Sequence, residues 1–221
     1  MIKRISWIFL VTVVALTASS LNAQPKPAPA PTPAPAQNSR SFADLLQRAK
    51  NGDATVDFRE LRIAYTETKE YNPYRSARDE RQKMFAALKA NQYEQAREFA
   101  ETILAQNFLD LNGQFGAFVS YRELGNAPKT TLHKFLFEGL VHSVENSGDG
   151  KSPETAFMVI SVDEEYVLLN WRGLRATEQS LVNQNGHVYD LMKAVNTKTN
   201  ETVSYYFNID KPFNWLGKSL K

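Results

Sequence analysis

Hydrophobic positions along this chain follow two rhythms. From Ser41 to about Glu145 they recur at three- and four-residue intervals, as on helices with one buried face. Ser41 suits the cap of a helix over Phe42–Lys50, which Asn51-Gly52 stops. Asp57-Phe58-Arg59-Glu60 has capping-box form, and Leu61, Ala64 and Tyr65 follow at helical spacing. Tyr71-Asn72-Pro73-Tyr74 breaks that run, because a residue before proline avoids helical backbone. Ser76 is the expected opening of a helix through Lys89. A further run contains Tyr93, Ala96, Phe99, Ala100, Ile103 and Leu104. Another contains Phe115, Phe118, Tyr121 and Leu124, and Pro128 starts a last one through Leu132, Leu136, Leu140 and Val144.

The polar, glycine-rich stretch Asn146–Pro153 ends the helical pattern. Beyond it the alternation becomes that of strands, with side chains on opposite faces in turn. Ala156–Val162 and Tyr166–Trp171 read as apolar strands. Asn185-Gly186 is a strong hairpin signal joining Thr177–Gln184 to His187–Val195. Thr197–Asn200 makes a second turn, and Glu201–Ile209 alternates Val203, Tyr205, Phe207 and Ile209 against Ser204, Tyr206 and Asn208. The pattern predicts an antiparallel meander of four or five strands, with Pro212, Phe213 and Trp215 packed over one end. The expected class is α+β: N-terminal helical hairpins over residues 38–146, packed with a C-terminal antiparallel β half over residues 147–221.

The start of the chain is organised differently. Met1-Ile2-Lys3-Arg4 is cationic, Ile5–Ala18 carries no charge, and Leu21-Asn22-Ala23 ends in a small residue. This predicts a secretory signal peptide over residues 1–23, with an apolar core shorter than the ~20 residues of a membrane span. Residues 24–37 hold six prolines that mostly alternate with Ala, the composition of a stiff, extended spacer. The expected location is periplasmic or secreted.

Charge and cysteine content narrow the function classes. The formal charge of +2 comes from Lys3 and Arg4, and without them 24 basic residues face 24 acidic ones. No Lys/Arg stripe is present to neutralise a phosphate backbone, so nucleic acid is not an expected partner. The absence of Cys excludes disulfides, thiolate metal sites, thiol nucleophiles and the acylated cysteine of a lipoprotein anchor.

Two resemblances emerge from these residues. Tyr93, Ala96, Phe99, Ala100 and Leu104 resemble the second helix of a tetratricopeptide repeat, and Tyr121, Leu124 and Gly125 the first helix of the next. Phe108 stands where such repeats usually carry proline. Asp57–Tyr65, Tyr71–Tyr74, Ser147–Phe157 with Asp163–Tyr166, and Tyr206–Asp210 together resemble an uncharacterised family of exported bacterial proteins, a domain of unknown function. That resemblance spans nearly all of the chain beyond the leader. It implies two halves working together and brings no established activity.

The candidate chemistry is sparse. Gly148–Ser152 ends like a phosphate-binding loop, but Glu145 occupies the place of the required earlier glycine and a helix precedes it. Read as a calcium loop from Glu145, the twelfth position is Ala156 and not Glu. Asp163-Glu164-Glu165-Tyr166 sets three carboxylates between apolar runs, so Glu164, Glu165 and Tyr166 are the candidates for acid–base chemistry, against the plainer reading of a solvated hairpin turn. His187 and Asp190, three apart on a strand, point to opposite faces and cannot pair. His133 and His142 lack metal-ligand spacing. Tyr71, Tyr74, Tyr93, Tyr121, Trp171 and Trp215 are candidates for a peptide or sugar groove, against the plainer role of aromatics in the core. Arg59, Arg62, Arg75 and Arg78, near the Tyr71–Tyr74 break, are candidates for reading a carboxylate, with a solvated face as their plainer role. No cofactor or metal is expected. The expectation for function is a non-catalytic envelope module that binds a protein or peptide, with an envelope hydrolase using the carboxylate cluster as the alternative.

Overall fold

The computed structural model describes residues 41–75 and 77–219. The expected signal peptide (1–23) and proline spacer (24–37), and Ser76 as a helix opener, lie outside the described residues. Six helices come first: α1 (Phe42–Lys50), α2 (Phe58–Thr66), α3 (Arg78–Lys89), α4 (Tyr93–Gln106), α5 (Leu111–Glu123) and α6 (Ala127–Glu145). Their starts have local causes. The Ser41 hydroxyl accepts from the Asp44 N–H at 3.1 Å, and the Asp57 carboxylate accepts from the N–H groups of Arg59 and Glu60 at 2.8 and 2.9 Å. Asp110 caps α5 in the same way, accepting from Gly113 N–H at 2.8 Å.

α3 to α6 pack each against the next in sequence. Ala96 and Ala100 are fully buried, so these small residues serve packing, as read from the pattern. At Gly116 an added Cβ would stand 2.1 Å from the Met84 sulfur, which explains why α5 carries no side chain there.

The second half is α+β in itself. A short 3-10 turn (Pro153–Thr155) leads to β1 (Phe157–Met158), α7 (Val162–Trp171), β2 (Leu174–Gln184), β3 (His187–Asn196), β4 (Thr202–Asn208) and α8 (Asp210–Ser219). The sheet order is β1-β4-β3-β2. β2, β3 and β4 form an antiparallel meander of three strands where four or five were expected, with Asn185-Gly186 as its tight turn at φ 53° and 80°. A bulge between Ala176 and Glu178 interrupts the outer strand β2.

Three expectations are corrected. β1 is two residues long and runs parallel to β4, pairing Phe157 with Phe207, so the sheet is mixed. Tyr166–Trp171 is helix and not strand, because Val167, Leu168 and Leu169 are all buried and a helix covered on several sides has the continuous apolar look of a buried strand. Asp163-Glu164-Glu165 is therefore the first turn of α7, where carboxylates favour the positive end of the helix dipole, and not a hairpin turn.

One apolar interior joins the two halves. Leu45, Leu61, Leu136, Leu140 and Val144 from the helices pack in the same cluster as Phe157, Leu168, Met192, Ala194 and Phe207. A smaller cluster around Met84, Ala100, Ile103 and Ala117 lies among α3, α4 and α5. Gly150 ties the connecting loop to the sheet. Its φ of +71° and the Phe157 ring, 2.4 Å from where a Cβ would stand, both demand glycine. The loop's resemblance to a phosphate cradle ends there, since Asp149 accepts from the Lys151 N–H and the Thr155 hydroxyl within the loop.

Candidate functional site

Two polar centres stand out. The first is the start of α7, where each of three consecutive acids meets a different element. Asp163 takes a two-pronged pair from Arg81 of α3, at 2.5 and 2.8 Å. Glu164 takes another from Arg62 of α2, at 2.9 and 2.6 Å, and also accepts the Ile160 N–H at 2.8 Å. Arg62 is fully buried and donates further to the Met158 carbonyl at 2.9 Å and the Ser143 hydroxyl at 3.3 Å. Its charge is thus matched by a planar, forked set of acceptors, the arrangement that makes a buried guanidinium tolerable. Asp110 sits near Arg81, at 3.8 Å, and burial raises its pKa against the pull of that cation.

Glu165 differs from its neighbours. It is fully buried and lies against the Asp190 carboxyl of β3. Burial first, and then the Asp190 charge, push its pKa up to about 9. Asp190 is raised too, through burial, although Gln179 Nε2 donates to it at 2.7 Å. Gln179 Oε1 in turn accepts from the Tyr166 hydroxyl at 3.1 Å.

The second centre is an open cleft of about 770 Å³ bounded by the end of α2, the β2–β3 turn and α8. Its volume is that of a typical ligand site. Tyr71, Tyr189 and Trp215 contribute rings, and Asn185, His187, Asp210 and Asn214 contribute polar groups. His187 Nδ1 lies 2.6 Å from Asp210 Oδ2. Asp210 also accepts from the Val188 N–H at 2.9 Å and from Asn208 Nδ2 at 3.1 Å. Burial works against ionisation of Asp210, but the Val188, His187 and Asn208 bonds prevail and its pKa is lowered. An ionised Asp210 has no proton to give, so His187 Nδ1–H is the donor in this contact. Glu67 and Lys211, on opposite walls, pair at 2.7 Å.

The structure separates the residues singled out from sequence. Tyr71 lines the cleft and is buried, its hydroxyl donating to the Ile160 carbonyl at 2.8 Å. Tyr74 is 45% exposed and its ring centroid lies 5.9 Å from that of Trp215, so it flanks the same cleft. Arg59 is exposed on α2. Arg62 is not on a solvated face, since it is fully buried and held by Glu164. Tyr121 is buried, stacked on His133 at 5.4 Å and bonded to Glu101, away from the residues that line the cleft. His133 shares its Nδ1 with Gln114 Oε1 at 2.8 Å, and burial lowers its pKa to about 4. Glu164 and Glu165 are 5% and 0% exposed, while Tyr166 is 41% exposed. The His187–Asp210 contact was missed because 23 residues separate the partners, although Asp210 lies two residues past the last strand. Among the described residues no group of three or more His, Cys, Asp or Glu could hold a metal ion, and no helix is long and apolar enough to cross a membrane.

A family model described as Domain of unknown function (DUF4919) matches residues 35–217, and the chain belongs to that family. This match does not confirm the tetratricopeptide resemblance of the helical half. Comparison with curated proteins and with solved structures gives no match.

Proposed function

We propose that the protein is an exported module of the cell envelope that binds a protein or peptide segment in the cleft beside α8. The observation that carries this reading is the cleft itself. Aromatic rings of Tyr71, Tyr189 and Trp215 provide apolar anchoring area, and interface anchors are enriched in Tyr and Trp. Among the described residues, the side-chain amides of Asn185 and Asn214 make no hydrogen bond, so the NH2 donors and carbonyl acceptor of each remain open to the C=O and N–H of a peptide group. Export rests on the cationic, apolar and small-residue order of residues 1–23.

The alternative, an envelope hydrolase using Glu164, Glu165 and Tyr166, draws on the proton-retaining carboxyl of Glu165. A general acid must come within hydrogen-bond reach of its substrate. Glu164 is engaged by Arg62 and Glu165 is fully buried, which favours the binding reading.

The test is capture from envelope extract by the purified protein and by variants. Partners retained by the wild type and by Arg59→Ala, but lost with Asn214→Ala and Trp215→Ala, support the cleft. Partners held equally by all four forms contradict it.

A further inference from the structure

Glu165 is fully buried, and neither of its carboxyl oxygens receives an N–H or O–H from the described residues. An ionised carboxylate in that position would be an uncompensated buried charge. Its side chain is within hydrogen-bond reach of a second acid, Asp190, which is 5% exposed. The direction of the bonds around Asp190 is defined. The Tyr166 hydroxyl donates to Gln179 Oε1, which turns the Gln179 NH2 toward Asp190 Oδ2. Asp190 is thus addressed as an acceptor and can take one donor more. Two carboxyl groups can bond only when one of them carries a proton, and Glu165 is the group with no other way to satisfy its oxygens.

We propose that Glu165 and Asp190 hold one proton between them, carried by Glu165 and donated to Asp190, and that this proton is a structural ligand fastening the first turn of α7 to strand β3. The surroundings are consistent. The charges of Glu164 and Asp163 also act on Glu165, and the pair's charges act in turn on Tyr166 of α7 and on Tyr74 of the segment after α2. The cations nearest in the chain of contacts, Arg81 and Arg62, are each taken by Asp163 and Glu164 and leave Glu165 without a counter-charge. The proton stands in for the arginine that the other two acids have.

The sign of the pH effect follows. The Glu165 pKa in the fold, about 9, lies above the ordinary carboxyl value of 4.5. The stabilisation is complete below the ordinary value and is lost as pH rises toward the folded one. Over that window the unfolded chain releases a proton that the fold retains.

The experiment is denaturant unfolding of the purified protein and of Glu165→Gln between about pH 5 and pH 9. One retained proton makes the wild-type folding constant fall, relative to that of the variant, about tenfold per pH unit. Parallel curves overturn the proposal. Should Glu165→Gln fail to fold, the wild type alone decides by infrared spectroscopy in heavy water at neutral pH. A protonated-carboxyl C=O band that moves or vanishes in Asp190→Asn is the expected result. Absence of such a band in the wild type overturns the proposal.

Discussion

The start of α7 and the cleft beside α8 are both crowded with polar side chains, and they treat them oppositely. At α7, Arg62 and Glu164 are 0% and 5% exposed and their bonds cross 102 residues of chain. In the cleft, His187 is exposed, Asp210 is half-buried, and the amides of Asn185 and Asn214 have no partner among the described residues. A polar group closed off from water has to be matched inside the protein, whereas one facing an open cleft can wait for a ligand. The acidic run most conspicuous in the sequence is engaged inside the fold, Asp163 by Arg81, Glu164 by Arg62 and Glu165 by burial. The less conspicuous residues beside α8 are the ones we propose for recognition.

The strongest way to break this comparison is to unpair the α7 centre. Arg62→Met should destabilise the fold by about 3–5 kcal/mol, because Glu164 is left buried without its partner. Arg62→Met combined with Glu164→Gln should recover a large part of that loss in denaturant unfolding. If the double variant is no better than the single one, Arg62 acts through its packing alone. A milder disturbance is Gly139→Ala. A Cβ there would stand 2.3 Å from the Phe58 ring, so it would shift α2, which carries Arg62, at a cost of about 1–3 kcal/mol. Removing the α2 cap with Asp57→Ala should cost about 1 kcal/mol by the same assay. At the other end of the scale, Asn214→Ala should change stability by less than about 0.5 kcal/mol while abolishing partner capture. A large stability loss with Asn214→Ala would show that the cleft too is built for the fold.

Much of the fold was legible where its causes are local. Ser41 and Asp57 cap the helices they were expected to cap, and Asn185-Gly186 makes the turn that its positive φ values require. The error over Tyr166–Trp171 has a physical origin. α7 is buried around much of its circumference, so Val167–Leu169 shows no helical period, and the acids before it resemble a turn as readily as a helix start. The candidate site was less legible. Tyr71, Tyr74 and Trp215 stand out in the sequence as aromatics, and all three border the cleft. Arg62 looked like surface because its partner stands 102 residues away. Asp210 escaped notice as the partner of His187 because tertiary packing alone joins the turn after β2 to the start of α8.

The claim that recognition belongs to the cleft and architecture to α7 is most directly tested by hydrogen exchange on the protein with and without a captured partner. Added protection is expected over residues 185–189 and 210–218, with the first turn of α7 unchanged. Protection centred instead on Tyr166, or on the apolar groove of Phe85, Phe115 and Trp171, with none beside α8, would contradict it.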